Sequence, residues 1–381
     1  NPLVQTFLAR IAASYISEKL NTLVKIDGLY VTPRLDLNMQ GVLVFDQSND
    51  TLFKAVDVFL DMKRFSLSKE QKLFAINDIS IDQASFTLHK GRNDSVFSYD
   101  FIRDHFETES TDLATDTIHG QTDWRVALNG LDLSKVRFRY INENKDKKDL
   151  GMDYSNLDIF VDMLRMHDLA IHNDTFNFRI EHLAARDRCG FVVDTLAGDF
   201  KLSPLFLIAD SFKVVTPSSD IKLNLEFQYN GWPSYLAFTE EVEMRSLIHP
   251  SELNMRDIGY FAPDLLAMNN RLRIGGKVIG RVNNLRVSDF KFSYGKDTRF
   301  FGDVRLYGLP DVVETYIHTS IDEFTMTAND ARRFAIPGST RYISVPEELE
   351  VFGKMRIEGS FTGFYNDFVS TAEFALSLIH I

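Results

Sequence analysis

Three stretches of this chain follow one template. "INDISIDQASFTLHK" at 76–90, "LNGLDLSKVRFRYIN" at 128–142 and "VNNLRVSDFKFSYGK" at 282–296 align without a gap. Each runs from an aliphatic residue through Asn, an apolar pair two apart and a polar pair to three alternating apolar positions. A period of two sets apolar side chains on one face of a strand, but the polar pair breaks the phase. If Asp82-Gln83, Ser134-Lys135 and Ser288-Asp289 were two-residue hairpin loops, they would need Gly or Asn at positive φ, and none is present. One long strand with a β-bulge resolves the conflict, because the extra residue returns the later apolar positions to the face of the earlier ones. That face then carries Ile79, Ile81, Ala84, Phe86 and Leu88 in the first copy. The second carries Leu131, Leu133, Val136, Phe138 and Tyr140, and the third Leu285, Val287, Phe290, Phe292 and Tyr294.

Turn chemistry follows each copy, in "KGRNDS" (90–95), "NENKDKKD" (142–149) and "GKDT" (295–298). Apolar alternation then resumes, notably in "MDYSNLDIFVDML" and "TRFFGDVRLYGL". The expected fold is therefore mainly β: an elongated, twisted antiparallel sheet curled into a trough, with bulged strand, polar tip and return strand repeated as a meander. The 32 Phe and 13 Tyr suit half-buried pleated surface. A sheet with one apolar face must stack on a second layer, close on itself or line a groove. Alternation alone leaves open whether protein or ligand fills that face. The fourteen apolar positions named above other than Ala84 are the candidate groove residues.

Before the strands begin, "VQTFLARIAASYISEKLNTLV" sets Val4, Phe7, Leu8, Ile11, Tyr15, Leu20 and Leu23 at helical spacing, so 1–24 reads as an amphipathic helix that caps a sheet or lies on a membrane surface. The region 25–381 shows no change of composition that would mark an internal boundary. Short helices are expected at 98–107, at 251–268 with a break at Pro263, at 309–316 and at 328–335. The aperiodic, acidic stretch 107–123 reads as a loop.

The formal charge of −12 argues against nucleic acid, whose phosphates require clustered Lys and Arg. One cysteine, Cys189, excludes an intramolecular disulfide and a Cys-based zinc site; its neighbours Arg186 and Arg188 could lower the thiol pKa. His167, Asp168, His172 and Asp174, with His182 beyond, form the densest titratable run, but the histidine spacing is poor for joint metal ligation. The adjacent acid pairs Glu240-Glu241 and Glu347-Glu348 point apart on any regular element. No nucleophile-elbow, zinc-protease or phosphate-loop motif occurs, and the glycines of "GGKVIG" (275–280) suit a bulge better than a nucleotide site. The Asn49, Asn93 and Asn173 triplets read as polar turns. Neither enzymatic activity nor a cofactor is expected.

Several stretches, in order, resemble the AsmA-like group, and within it the TamB family of Bacteroidota. They are the N-terminal "VQTFLARIAASYISEKL" leading into "VKIDGLYV", "VFDQSNDTLFKAVDVFLDM", the "LNGLDLSKVRFRY" line, "GMDYSNLDIFV", "RDIGYFAPDLLAM", "GGKVIGRVNNL", "GDVRLYGLPDVVETYI" and "GSFTGFYNDFVSTAEF". The resemblance implies a periplasmic protein of a Gram-negative envelope, held in the inner membrane by a helix just before Asn1. It also implies a hydrophobic groove that carries phospholipid acyl chains toward the outer membrane. The alternative it implies is a scaffold for outer-membrane β-proteins working with a BamA-like partner, through exposed strand edges. The long C-terminal groove of that family does not follow "TGFYNDF", and the closing "ALSLIHI" does not continue the resemblance.

Overall fold

The computed structural model describes residues 2–34, 36–67, 72–102, 125–172 and 174–376. The 107–123 loop, the Asn173 position and the last five residues lie outside them. The fold is mainly β, with seventeen strands in one mixed sheet that is not closed into a barrel, and few short helices. The chain divides into two compact units. The first comprises residues 1–148, 153–170 and 178–192, and the second residues 149–152, 171–177 and 193–381.

Unit 1 opens with helix α1 (Pro2–Leu20). Its strands are β1 (Val24–Val31), β2 (Leu37–Phe45), β3 (Thr51–Leu67), β4 (Lys72–Lys90), β5 (Arg125–Asn142) and β6 (Asn156–His172), with most of β7 (Thr175–Asp187). β3, β4 and β5 run 17, 19 and 18 residues, against a usual five or six. β1 to β4 pair antiparallel in sequence order, and so do β5 and β6.

The exception to the expected antiparallel ladder is β4 with β5, which lie parallel. These are the first two copies of the repeated line, set side by side in one register: Ile79 faces Leu131, Ile81 faces Leu133, Phe86 faces Phe138 and Leu88 faces Tyr140. The polar tip at 90–95 is thus not a hairpin back to the next strand. A parallel pair needs a crossover of a dozen or more residues, and 91–124 supplies the length.

The bulges stand where the phase break puts them. Gln83, Lys135 and Asp289 have φ of 53°, 55° and 52°, so the second residue of each polar pair takes the left-handed conformation. Between Val287, opposite Val304, and Phe290, opposite Gly302, two residues of one strand face one of its neighbour. Because the β4 and β5 bulges coincide, their mutual register never shifts. Ser211, at φ 51°, repeats the device in β9 (Phe206–Val215), and Asp168 of β6 takes the same conformation at φ 59°. Neither shares the full template.

Unit 2 holds β8 (Val192–Leu202), β9, β10 (Asp220–Gln228), β11 (Glu243–Asn254), β12 (Arg271–Arg281), β13 (Asn284–Tyr294), β14 (Thr298–Tyr307), β15 (Tyr316–Thr327), β16 (Lys354–Gly363) and β17 (Phe368–Leu376). Each pairs antiparallel with the next, as an uninterrupted meander. Gly276 sits at the β12 bulge with φ 152°, where a Cβ would come 3.2 Å from the Phe290 Cα and the Ser288 carbonyl. A glycine there admits the neighbouring bulge.

The helices of unit 2 are single turns, among them α2 (Phe238–Glu241), α3 (Met255–Gly259) and α4 (Ala328–Arg332). The expected 251–268 helix is shorter: 251–254 extend β11, Asn254 caps α3 by accepting from the Arg256 N–H, and a separate turn begins at Pro263. Residues 309–316 form no helix. Of 98–107, residues 100–102 are helical and 103–107 are outside the described set.

Candidate functional site

The two units treat their apolar faces differently. In unit 1, Ala9 and Ala13 of α1 lie buried against Val24, Ile26, Val42, Ala55, Ala84 and Val136, with Ile16 and Leu20 packed alongside. The packed stripe is therefore 9, 13, 16 and 20, spaced four, three and four, with small residues that let the helix approach the sheet closely. Ile11, Tyr15 and Leu23, expected on that stripe, are exposed, Ile11 to 52%. Leu20 of the expected stripe does pack on the core, whereas Ala9 and Ala13 were missed because alanines carry little hydrophobic signal but fit the close contact. The side chains of Val4, Phe7 and Leu8 are outside the described set.

This packing decides the fate of the first candidate residues. Val136 is buried, and Ile81, Leu88 and Leu133 pack against the same core. Ile79, Leu131, Phe138 and Tyr140 are half-buried. Phe86 and Phe138 stack at 6.1 Å, and Tyr140 stacks on Phe97 at 5.0 Å. Where the helix ends, Leu20, Val44, Phe53, Phe86, Leu88 and Ile102 surround an apolar hollow of about 420 Å³. The chain itself covers the part of this face that lies against α1.

In unit 2 no helix comparable to α1 is present among the described residues. Cross-strand register puts Leu285, Val287 and Phe292 of β13 opposite Leu306, Val304 and Phe300 of β14. On the other side, Val287 and Phe292 face Val278 and Ile274 of β12. The stripe continues through Phe324 and Ile321 of β15 to Ile357 of β16. Phe292 and Phe300 stack at 5.2 Å, Phe290 lies 5.8 Å from each, and Phe324 meets Phe300 edge-on at 6.2 Å. Leu285, Val287, Phe290 and Phe292 all remain half-buried. Among the described residues no helix of unit 2 exceeds six residues, too short to roof a face ten strands wide. A buried apolar cluster (Ala262, Leu265, Met268 and Ala335) lies at the sheet end that bears α3 and α4.

Tyr294 does not belong to this apolar stripe. Its hydroxyl donates to the Arg333 carbonyl at 2.9 Å and its ring meets Phe334 edge-on at 5.2 Å, which pins the strand end to the connection after α4. Phe300, Phe324, Ile274 and Val304 do belong, and were readable only from alternation in strands that lack the repeated line.

The reverse face of the same strands is charged and cross-linked: Arg273 to Glu252 at 3.2 Å, Lys277 to Asp289 at 2.9 Å, Arg286 to Asp303 at 3.4 Å. Two side chains there complete the bulges. The Asp289 N–H, left without a ladder partner, donates to the Asp303 carboxylate at 3.1 Å, and the Ser211 N–H donates to the Asn224 side-chain oxygen at 3.1 Å.

His167, Arg186 and Arg188, singled out in the sequence, are engaged with carboxylates. His167 lies 3.2 Å from the Asp168 carboxylate and 3.9 Å from that of Glu181, and among the described residues no three potential ligands could hold a metal ion. Arg186 and Arg188 bind Asp162 and Asp153 instead of the Cys189 thiol. Burial, then a hydrogen bond with Asp187, pushes that thiol up to about 11, the reverse of the activation its sequence neighbours suggest.

No protein-family model matches the chain, and no curated protein matches it. Among the described residues no helix is long and apolar enough to cross a membrane.

Proposed function

We propose that the apolar face of unit 2 receives the acyl chains of phospholipid and shields them from water as they move along it. The observation that carries this reading is the strip of phenyl and aliphatic side chains in which Phe292 and Phe324 stay half-buried on either side of the buried Phe300, with no helix longer than six residues in unit 2 among the described residues. Exposing such a strip to water is unfavourable, and soluble proteins rarely keep large ones without a binding role. Each buried methylene of a chain laid on it gains about 0.8 kcal/mol. The hollow of about 630 Å³ over Ile274, Phe292 and Phe300 is bordered by Arg273, Lys291 and Arg299, so an acyl chain can lie on the strip while its headgroup stays among charged groups at the border. In this reading the protein acts between the two membranes of a Gram-negative envelope, as its resemblance to the AsmA-like group implies, and it is not an enzyme.

The test is photocrosslinking from positions 274, 292 and 324 in cells, with mass spectrometry of lipid bound to the purified protein. Lipid adducts at these positions and co-purified phospholipid are the expected result. Adducts to protein alone at all three positions would remove the proposal.

A further inference from the structure

Five connections of unit 2 leave the sheet at one end, because every second turn of an antiparallel meander falls there: 203–205, 229–242, 282–283, 308–315 and 364–367. They are joined into a continuous rim. The Tyr229 N–H donates to the Leu205 carbonyl at 3.0 Å, the Asn283 N–H to Thr239 at 3.1 Å and the Gly308 N–H to Asn283 at 3.0 Å. Farther along, the rings of Tyr316 and Phe364 meet at 5.5 Å.

Exposed along this rim are Leu205 and Trp232, at 61% and 46%, then Tyr307, Tyr316 and Tyr365. Trp232 is held in place: Pro233 follows it at the start of a turn, its ring stacks on Tyr235, and Tyr235 lies 4.7 Å from Tyr229. Tyr229 is itself buried, with its hydroxyl bonded to the Ser203 carbonyl at 2.7 Å. A fixed, exposed Trp loses little freedom on binding. Trp and Tyr join an apolar body to a polar tip, the combination that settles where lipid headgroups meet acyl chains. The charge on the rim selects the surface. Glu240, Glu241, Asp311, Glu314 and Asp367 are exposed there against Arg281, with Lys201 and Arg305 at the adjoining strand ends, a net negative balance that repels an anionic bilayer and not a zwitterionic one.

We propose that this rim docks on a zwitterionic bilayer, with Leu205 and Trp232 entering the acyl boundary. Docking does not rest on the acyl-chain reading of the open face, and the two fail separately. Trp124→Phe leaves Trp232 as the sole tryptophan of two. In the full chain carrying that change, phosphatidylcholine vesicles should shift the emission to the blue, and lipids brominated on the acyl chain should quench it. Leu205→Ala should weaken partition roughly tenfold, and adding phosphatidylglycerol should weaken it further. Tyr342→Ala, at an exposed residue of the opposite sheet end, should change nothing, and Phe292→Asp should leave vesicle binding intact while removing any lipid held on the face. Should the Trp124 variant fail to fold, vesicle sedimentation of the unaltered chain against Trp232→Ala and Leu205→Ala reads the same partition. Absence of binding to phosphatidylcholine, binding to anionic vesicles alone, or equal loss in Tyr342→Ala overturns the proposal.

Discussion

Unit 1 and unit 2 are built from the same bulged strands with the same apolar spacing, yet one face is closed by a helix and the other is not. In unit 1, α1 brings two alanines down onto β-strand aliphatics and produces residues with almost no exposure. In unit 2 the comparable side chains of β13 stack on their neighbours in the sheet and stay half-buried, while Phe300 of β14 is buried. Strand pattern therefore sets which side is greasy, and a separate element decides whether that side becomes a core.

Inserting a charge separates the two cases most strongly. Val136→Asp places a carboxylate at a site only 8% exposed, beneath α1, and should destabilise unit 1 by about 3–5 kcal/mol. Phe292→Asp loses ring contacts but leaves its charge within reach of water, so about 1–2 kcal/mol is expected. Urea denaturation of the two variants measures both. Equal losses would mean that the phenyl strip is a closed core, and the contrast between the units would collapse.

Acid should weaken the units unequally as well. In unit 2 the Asp330 carboxylate is 4% exposed. Burial alone would favour its neutral form, but bonds from the Asp297 N–H at 2.9 Å and from the Thr298 hydroxyl and N–H at 3.0 and 3.1 Å outweigh it and hold the pKa below the ordinary value. A depressed carboxyl contributes stability above its unfolded pKa, near 3.9, and that contribution disappears as pH falls through the folded value. In unit 1, Asp158 is lowered first by its hydrogen bond from Arg137, but that pair is partly exposed and screened. Between pH 5 and 2.5 the melting of unit 2 should fall more steeply than that of unit 1. Asp330→Asn should flatten the difference and lose roughly 1–3 kcal/mol at pH 7. Thermal scans across that range decide it, and an unchanged slope in Asp330→Asn would assign the acid sensitivity elsewhere.

The mainly β fold, the bulges and the apolar stripe of β13 were legible because each follows from periodicity and one break in its phase. The parallel pairing of β4 with β5 was not: identical lines fit a parallel register and an antiparallel meander equally well, and only the path of 91–124 distinguishes them. The packed face of α1 was hidden because Ala9 and Ala13 signal little by hydrophobicity. Tyr294 matched the stripe by position yet serves as a clamp, since its role comes from a hydroxyl and a carbonyl 39 residues away. Whether a face is covered is a tertiary property that strand alternation does not encode.

The smallest expected effect lies in the bulges, and it should differ in sign between the units. A non-glycine residue at left-handed φ bears about 1–2 kcal/mol of strain, less for Asp. Lys135 is exposed in unit 1 at φ 55°, so Lys135→Gly should relieve that strain, offset in part by about 0.5–1 kcal/mol of chain entropy, for a net gain near 0.5 kcal/mol. Asp289 holds the same conformation in unit 2, but its carboxylate binds Lys277 across the ladder, and its type already tolerates the conformation. Asp289→Gly should bring no gain and should loosen the β12–β13 pair. Paired denaturation curves test this directly. Equal stabilisation of both variants would make the bulge a matter of backbone geometry alone, and the charged reverse face of unit 2 would then have no part in holding its strands in register.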